Sequence, residues 1–433
     1  MSEQPPKLLI HGKHLLTMPE SPDALSQYAA HTGDLASRDA EITGLIEDGA
    51  VLVEDGKITW FGEFRRRPKR AKKEDVLVFE TGTITPGWID CHTHAVFAGH
   101  RADEFMLRNA GRPYVEILEA GGGILNTVDA VRDASTDELA SALIRDTFEF
   151  IRRGVTTLEV KSGYGLTTQD ERKQLRAIEE ARAEVPCELV SCFLGAHAIP
   201  REYRDDRDAY VDLVCKEMIP MVASEKLATH CDVFCDRGAF TVEEARRVLE
   251  TGREYGLTPR IHADEIQDIG AVKMAAEVGC TSADHLEHTK RDALEAMASA
   301  NVTGVLMPAV NLFLGTTSEL APARELLNVG GEVALATDYN PGSAMTYDLG
   351  WMLTLGCTLY KLTPGEALRA VTIGAAKALG RQDLGRIREG ATANLTMLDV
   401  PSPSYIPYHA GANHVEGVIW QGNFVYWTES EPA

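Results

Sequence analysis

The sequence is 433 residues long and carries 43 Lys and Arg against 65 Asp and Glu, a formal net charge of −22. A chain this acidic repels polyanions, which argues against nucleic-acid binding by counterion release. Charged residues at 25% and hydrophobic residues at 44% describe a globular chain rather than a disordered one, and no uncharged apolar run of about 18 residues is available to span a membrane.

The first residues, MSEQPPKLLI, lack a basic stretch followed by a long apolar one, so no secretory signal is expected. Residues 7–11, 50–53 and 57–61 read as short strands, with Asp55–Gly56 as a hairpin signal between the last two. Residues 19–48 are polar and mixed and suggest no element. The basic cluster 65–73 reads as a solvated loop or helix face. From about residue 83, β-branched apolar runs alternate with helical stretches. The runs are 84–94, 155–161, 189–196, 228–234, 259–263, 281–286, 302–307 and 333–338. Between them, 136–153, 168–184, 241–255, 270–278, 293–299 and 321–328 carry apolar residues at three- and four-residue spacing. Thr136 and Thr241 stand as N-caps ahead of first-turn acids. Such alternation predicts parallel strands, and eight is the number that closes a (β/α) barrel. Strands return at 393–399, 415–421 and 423–427. The expected fold is therefore α/β: a TIM-like (β/α)8 barrel over 83–384, with a small β-sandwich domain assembled from both termini, 1–82 and 385–433. The eight cysteines include no C-x-x-C pair and sit mostly in apolar runs, as reduced thiols of a cytoplasmic protein would.

Barrel active sites lie at the C-terminal ends of the strands. Five of the thirteen histidines fall there: His92 and His94 after the first run, His197 after the third, His262 in the fifth and His285 in the sixth. Asp338 ends the eighth. Residues two apart on a strand share a face, so His92 and His94 aim together into the barrel mouth. With His262 and Asp338 they make a set of three imidazoles and a carboxylate, which suits zinc or ferrous iron and leaves a position open for water. Glu265, three residues after His262, is placed to meet that water or a substrate nitrogen, and Asp338 could take the water's proton. Gly121–Gly123 lacks the Lys and Ser/Thr of a phosphate loop and reads as close-approach backbone.

The segments TPGWIDCHTH, IHADE, SADHLEH and ATDYNPG resemble the amidohydrolase superfamily. More narrowly, AGGGI, EVKSGYGL, FLGAHAIP, ATDYNPGS and YIPYHAGANH resemble the imidazolonepropionase family of histidine degradation. VEDGKI near the start and GRIREG near residue 385 resemble the split β-sandwich of the superfamily, whose barrel is distorted.

This resemblance implies hydrolysis of the cyclic amide-like C–N bond of 4-imidazolone-5-propanoate to N-formimidoyl-L-glutamate, by attack of a metal-activated water. It implies His92, His94, His262 and Asp338 as ligands of one metal ion, zinc or iron. It places Glu265 and His285 beside the reacting ring. Arg101, Tyr164, His197, Asn340, Gly342 and Ser343 match substrate contacts, with Tyr114 a further candidate at the same mouth. The chemistry is consistent with that: His285 is a candidate donor to the tetrahedral intermediate, Glu265 and Asp338 for moving protons, and Arg101 for pairing with the propanoate carboxylate. The superfamily's bridging lysine belongs on the fourth strand, which here ends Val233-Phe234-Cys235-Asp236. One metal ion is therefore expected, Cys235 and Asp236 being the residues there that could support a second. Two rival readings are a ring hydrolase or nucleobase deaminase of the same superfamily and a non-catalytic barrel with a structural metal. A homodimer is expected, as the commonest closed assembly, and neither nucleic acid nor membrane as a partner.

Overall fold

The computed structural model describes residues 7–20, 34–112 and 122–428. Two sheets organise the chain. The first has seven strands: β1 (Lys7–Leu16), β2 (Leu45–Glu54), β3 (Lys57–Glu63), β4 (Val76–Pro86), β13 (Leu395–Leu398), β14 (Val415–Trp420) and β15 (Asn423–Trp427). Their order is β15-β14-β13-β4-β1-β2-β3. Only β1 and β4 run parallel; the other neighbours are antiparallel. Apolar residues from all seven strands meet in one cluster, including Ile10, Val53, Ile58, Ile84, Met397 and Ile419, with Phe79 against Phe424 and Trp427. The sheet is thus curled around its own core, as burying an alternating apolar face requires.

The second sheet holds eight parallel strands in chain order: β5 (Trp88–Asp90), β6 (Val155–Lys161), β7 (Glu188–Ala196), β8 (His230–Cys235), β9 (Thr258–Ala263), β10 (Ser282–His285), β11 (Thr303–Leu306) and β12 (Val333–Leu335). Helices follow most of them, including Thr168–Glu184, Val242–Glu254 and Ala271–Val278. Between β12 and β5 the barrel closes beyond the strand ends. Asp338 N donates to His92 O (3.1 Å), His94 N donates to Tyr339 O (3.0 Å), and the Asp90 carboxylate accepts from Thr337 Oγ1 (2.6 Å). The seam of the barrel is therefore made by the segments that carry three of the expected metal ligands.

Several expectations change in detail. The run 84–94 is not one strand. Ile84–Pro86 ends β4 of the terminal sheet, and only Trp88–Asp90 joins the barrel. Gly87 marks the switch, because a Cβ there would meet Thr156 Oγ1 at 2.2 Å. The N-cap of the helix Thr136–Ile151 is Ser135, closed by a capping box with Glu138; Thr241 caps its helix as expected. The stretch that suggested no element contains a helix, Leu35–Thr43, docked by Asp39 on Thr363 Oγ1 (2.5 Å) and Gly365 N (2.9 Å). The cluster 65–73 is two 3-10 turns with mostly exposed or half-buried side chains. All eight cysteines are free thiols, seven of them buried. Among the described residues no helix is long and apolar enough to cross a membrane.

Candidate metal centre and active site

His92 and His94 lie just past β5, His262 in β9, His285 at the end of β10, and Asp338 three residues past β12. All five are buried. The His92 and His94 rings are 5.4 Å apart, and His262 lies 4.5 Å from His92 and 5.4 Å from His94. Their facing atoms are closer. Asp338 Oδ1 is 3.4 Å from both His92 Nε2 and His94 Nε2, and His262 Nε2 is 3.3 Å from His94 Nε2.

The far sides of two rings decide what those atoms are. His92 Nδ1 is 2.6 Å from Asp284 Oδ2, and His262 Nδ1 is 3.1 Å from Asp232 Oδ1. A carboxylate can only accept, so each Nδ1 carries the hydrogen and each Nε2 presents a bare lone pair. His92 Nε2 and Asp338 Oδ1 then face each other buried, with no hydrogen-bond partner. Two acceptors in that position are costly unless a cation lies between them. His92, His94 and Asp338 form one group able to hold a metal ion, and His92, His262 and His285 a second that overlaps it. His285, expected only as a donor to the reacting ring, thus also stands within reach of the cation.

Asp338 is held by its own loop. Its φ is +52°, and Asn340 Nδ2 donates to its Oδ2 (3.0 Å) and to its main-chain oxygen (2.7 Å). Asn340 Oδ1 accepts from Gly342 N and Ser343 N, and Ser343 Oγ lies 2.9 Å from Asn340 Nδ2. The Asn340 side chain, assigned by resemblance to the substrate, also folds this loop and aims Asp338. Glu265 reaches the mouth half-buried, its Oε2 3.8 Å from His285 Nε2. The loop that carries it is pinned by Asp236, which accepts from Ile266 N (2.8 Å) and Gln267 N (3.0 Å). Asp236 is therefore a positioning group, and burial pushes the Cys235 thiol up, away from the thiolate a metal takes. No metal-binding group among the described residues includes either of them.

Behind His285 stands Glu287, which the sequence analysis did not single out. Its side chain is 4% exposed, neither oxygen has a hydrogen-bond partner, and Oε2 forms an ion pair at 4.0 Å with His285 Nδ1. Burial disfavours charge on His285, but Glu265, Glu287 and Asp338 outweigh it and hold its pKa above the ordinary value. Burial likewise raises Glu287, and His285 offsets part of that. His285 and Leu286 adopt φ of +83° and +76°, a strained turn of the kind found where a site over-determines the backbone.

The remaining substrate candidates surround the mouth. His197 stacks on His94 at 4.9 Å and 20°, its Nδ1 on Gly163 O (3.0 Å). Tyr164 is buried, 5.9 Å from His94 and 5.4 Å from His197. Arg101 is held through Nε and Nη2 by Glu104 Oε2 (2.9 and 2.7 Å), while Glu104 Oε1 accepts from Gly123 N. Gly123 thus meets the carboxylate that holds Arg101. The third nitrogen, Nη1, points at Gly342, where a Cβ would lie 2.2 Å away. Tyr114 and Gly121 lie outside the described residues. Away from the mouth, His230 bonds Leu379 O and Thr229, and His409 packs on His414.

A model of the amidohydrolase family matches residues 83–425. An imidazolonepropionase of Alkaliphilus metalliredigens is 44% identical over 398 residues, 91% of this chain and 94% of the relative. One of Geobacillus kaustophilus is 46% identical over 387 residues, 88% and 91% of the two chains. The chain belongs to the imidazolonepropionase family of amidohydrolases. Among solved structures, E. coli guanine deaminase shares the fold of this imidazolonepropionase-family chain with a TM-score of 0.69 at 16% identity, covering 98% of this chain and 99% of that one. At that identity the likeness concerns the fold alone.

Proposed function

We propose that this chain hydrolyses 4-imidazolone-5-propanoate to N-formimidoyl-L-glutamate in histidine degradation, using one zinc or iron ion held by His92, His94, His262 and Asp338. The observation that carries the reading is the buried meeting of bare acceptors, His92 Nε2 against Asp338 Oδ1 at 3.4 Å, beneath a mouth edged by Arg101. The activity follows the name borne by the relatives. A bound ion supplies Lewis acidity and brings the pKa of a water toward about 7.

The side chains divide the remaining work. Arg101 pairs with the propanoate carboxylate, and Tyr164, His197 and Ser343 shape the ring's seat. Asp338, aimed by Asn340, and Glu265 accept and pass on protons. His285 donates to the oxygen where negative charge builds up. The water's oxygen ends on the ring carbonyl carbon, which becomes a carboxylate, and the ring nitrogen leaves with a proton. The net charge of −22 opposes an anionic substrate, so Arg101 and the bound cation act as a local positive island. Because β4 of the terminal sheet runs to Pro86, the boundary expected at residue 83 moves, and we assign 87–384 to the catalytic barrel and 1–86 with 385–433 to the terminal domain. We place the protein in the cytoplasm as a homodimer.

Metal analysis of the pure protein, coupled to an assay on freshly made imidazolone propanoate, tests the reading. About one zinc or iron per chain and turnover of that substrate are expected. Turnover of guanine or cytosine with none on imidazolone propanoate overturns it. A second expected result concerns the anion seat. Gly342→Ala forces Arg101 Nη1 aside, and loss of a charge-assisted bond of about 1.5–3 kcal/mol raises KM roughly 10- to 100-fold. Metal content stays at the wild-type level. Steady-state kinetics check this, and an unchanged KM removes Arg101 from carboxylate binding.

A further inference from the structure

Beneath the metal centre lies a layer of five charged side chains, each fully buried: Glu159 and Lys161 on β6, Asp232 on β8, Arg260 on β9 and Asp284 on β10. Glu159 and Lys161 are two residues apart and share a face, as do Arg260 and His262. The ion pairs interlock. Lys161 Nζ is 2.7 Å from Glu159 Oε1, 2.8 Å from Asp232 Oδ2 and 4.0 Å from Asp284 Oδ2. Arg260 Nη2 is 3.0 Å from Asp284 Oδ2 and 2.7 Å from Cys91 O, its Nη1 is 3.5 Å from Glu159 Oε1, and its Nε donates to Ser282 Oγ at 3.0 Å.

Every carboxylate of the layer reaches upward to a ligand-bearing segment. Asp284 takes the Nδ1 hydrogen of His92 and Asp232 that of His262. Glu159 Oε2 accepts from Thr93 N at 3.0 Å, between His92 and His94. Burying five charges costs several kcal/mol per ion, and apolar residues of like volume would serve stability at least as well. Stability therefore does not account for the layer, whereas its contacts converge on the histidines.

We propose that Lys161 and Arg260 are positioning residues of the metal centre: they clamp Asp232 and Asp284 against the Nδ1 sides of His262 and His92, and so set metal affinity and ligand geometry. This rests on the metal reading above. Lys161 and Arg260 touch neither substrate nor ion. They lock the carboxylates, the carboxylates lock ring orientation and tautomer, and Nε2 is left facing the cation.

The test uses the full chain, stripped of metal and titrated with zinc chloride against a chromophoric chelator, with cobalt(II) loaded in parallel for its visible absorption bands. Lys161→Met and Asp284→Asn are each expected to bind zinc roughly 10- to 100-fold more weakly than wild type and to shift the cobalt bands. Asp284→Asn reports the carboxylate–histidine link alone. Arg260→Lys, which keeps a cation but loses the guanidinium fork against Asp284, decides the matter should Lys161→Met fail to fold, with the same weakening expected. A layer that serves only folding lowers the unfolding midpoint of the metal-free chain but leaves zinc affinity and cobalt bands unchanged, and that result overturns the proposal. A wild-type chain that binds none of zinc, cobalt(II) and iron(II) overturns the metal reading itself, an outcome distinct from variants that bind as wild type does.

Discussion

A His262→Ala chain is expected to purify folded, nearly free of metal, and without measurable turnover of imidazolone propanoate. His262 is the hinge of the cluster: its Nε2 stands 3.3 Å from His94 Nε2, and its ring lies 4.5 Å from His92 and 5.3 Å from His285. It belongs to one of the two overlapping groups that can hold the ion, so its loss opens the centre from one side. Loss of an outer partner of a ligand typically costs about 10- to 100-fold in metal affinity, and loss of the ligand itself should cost more. The fold should survive, because Asp232, released from His262, keeps its pairing with Lys161 at 2.8 Å. Metal content after gel filtration, turnover and an unfolding curve check the three parts of this expectation. A variant with full metal content removes His262 from the ligand set.

Glu265→Gln should behave in the opposite manner. Metal content and unfolding midpoint stay at the wild-type level, while kcat falls by about 10²- to 10⁴-fold, the range general acid–base catalysis contributes. Glu265 lies outside the groups that can hold a metal, and its side chain remains partly open to the mouth. The loop that presents it is pinned by Asp236 through main-chain bonds, which the substitution leaves untouched. The amide keeps the shape and removes the proton-accepting charge. A kcat within a few-fold of wild type takes Glu265 out of proton transfer and leaves Asp338 and His285 to carry it.

How far the sequence could be read varied with the physics of each segment. Residues 155–161 and 168–184 are legible to the residue, because the strand VTTLEVK is rich in β-branched residues and follows Gly154, and the helix starts behind the cap Thr167. The helix Leu35–Thr43 is only nine residues long within a polar stretch, and tertiary contacts of Asp39 with Thr363 and Gly365 hold it. The split falls at Pro86-Gly87, a local breaker pair, but that the two halves join different sheets depends on partners distant in sequence, β13 for Thr83–Pro86 and β6 for Trp88–Asp90. Glu287 lies inside the segment SADHLEH, yet a Glu past a strand end is indistinguishable from an exposed one until burial is known. The same holds for Glu159, Lys161, Asp232, Arg260 and Asp284, though the alternation Glu159-x-Lys161 within an apolar strand was an available signal of inward-facing charge.

By itself the sequence determined the class of fold, the strand-end placement of the histidines and the family. Those depend on periodicity and on residue types at local spacing, which a linear chain carries in full. Only the tertiary structure decided which atoms face one another. His92 Nε2 meets Asp338 Oδ1 across 246 positions of chain because the barrel closes at that seam. Asn340 turns inward to aim Asp338 because its loop folds on itself. The ionic layer exists only where β6, β8, β9 and β10 lie side by side. Burial converts a charged or polar residue into a positioned one, and burial is a property of the assembled barrel rather than of any stretch of its sequence.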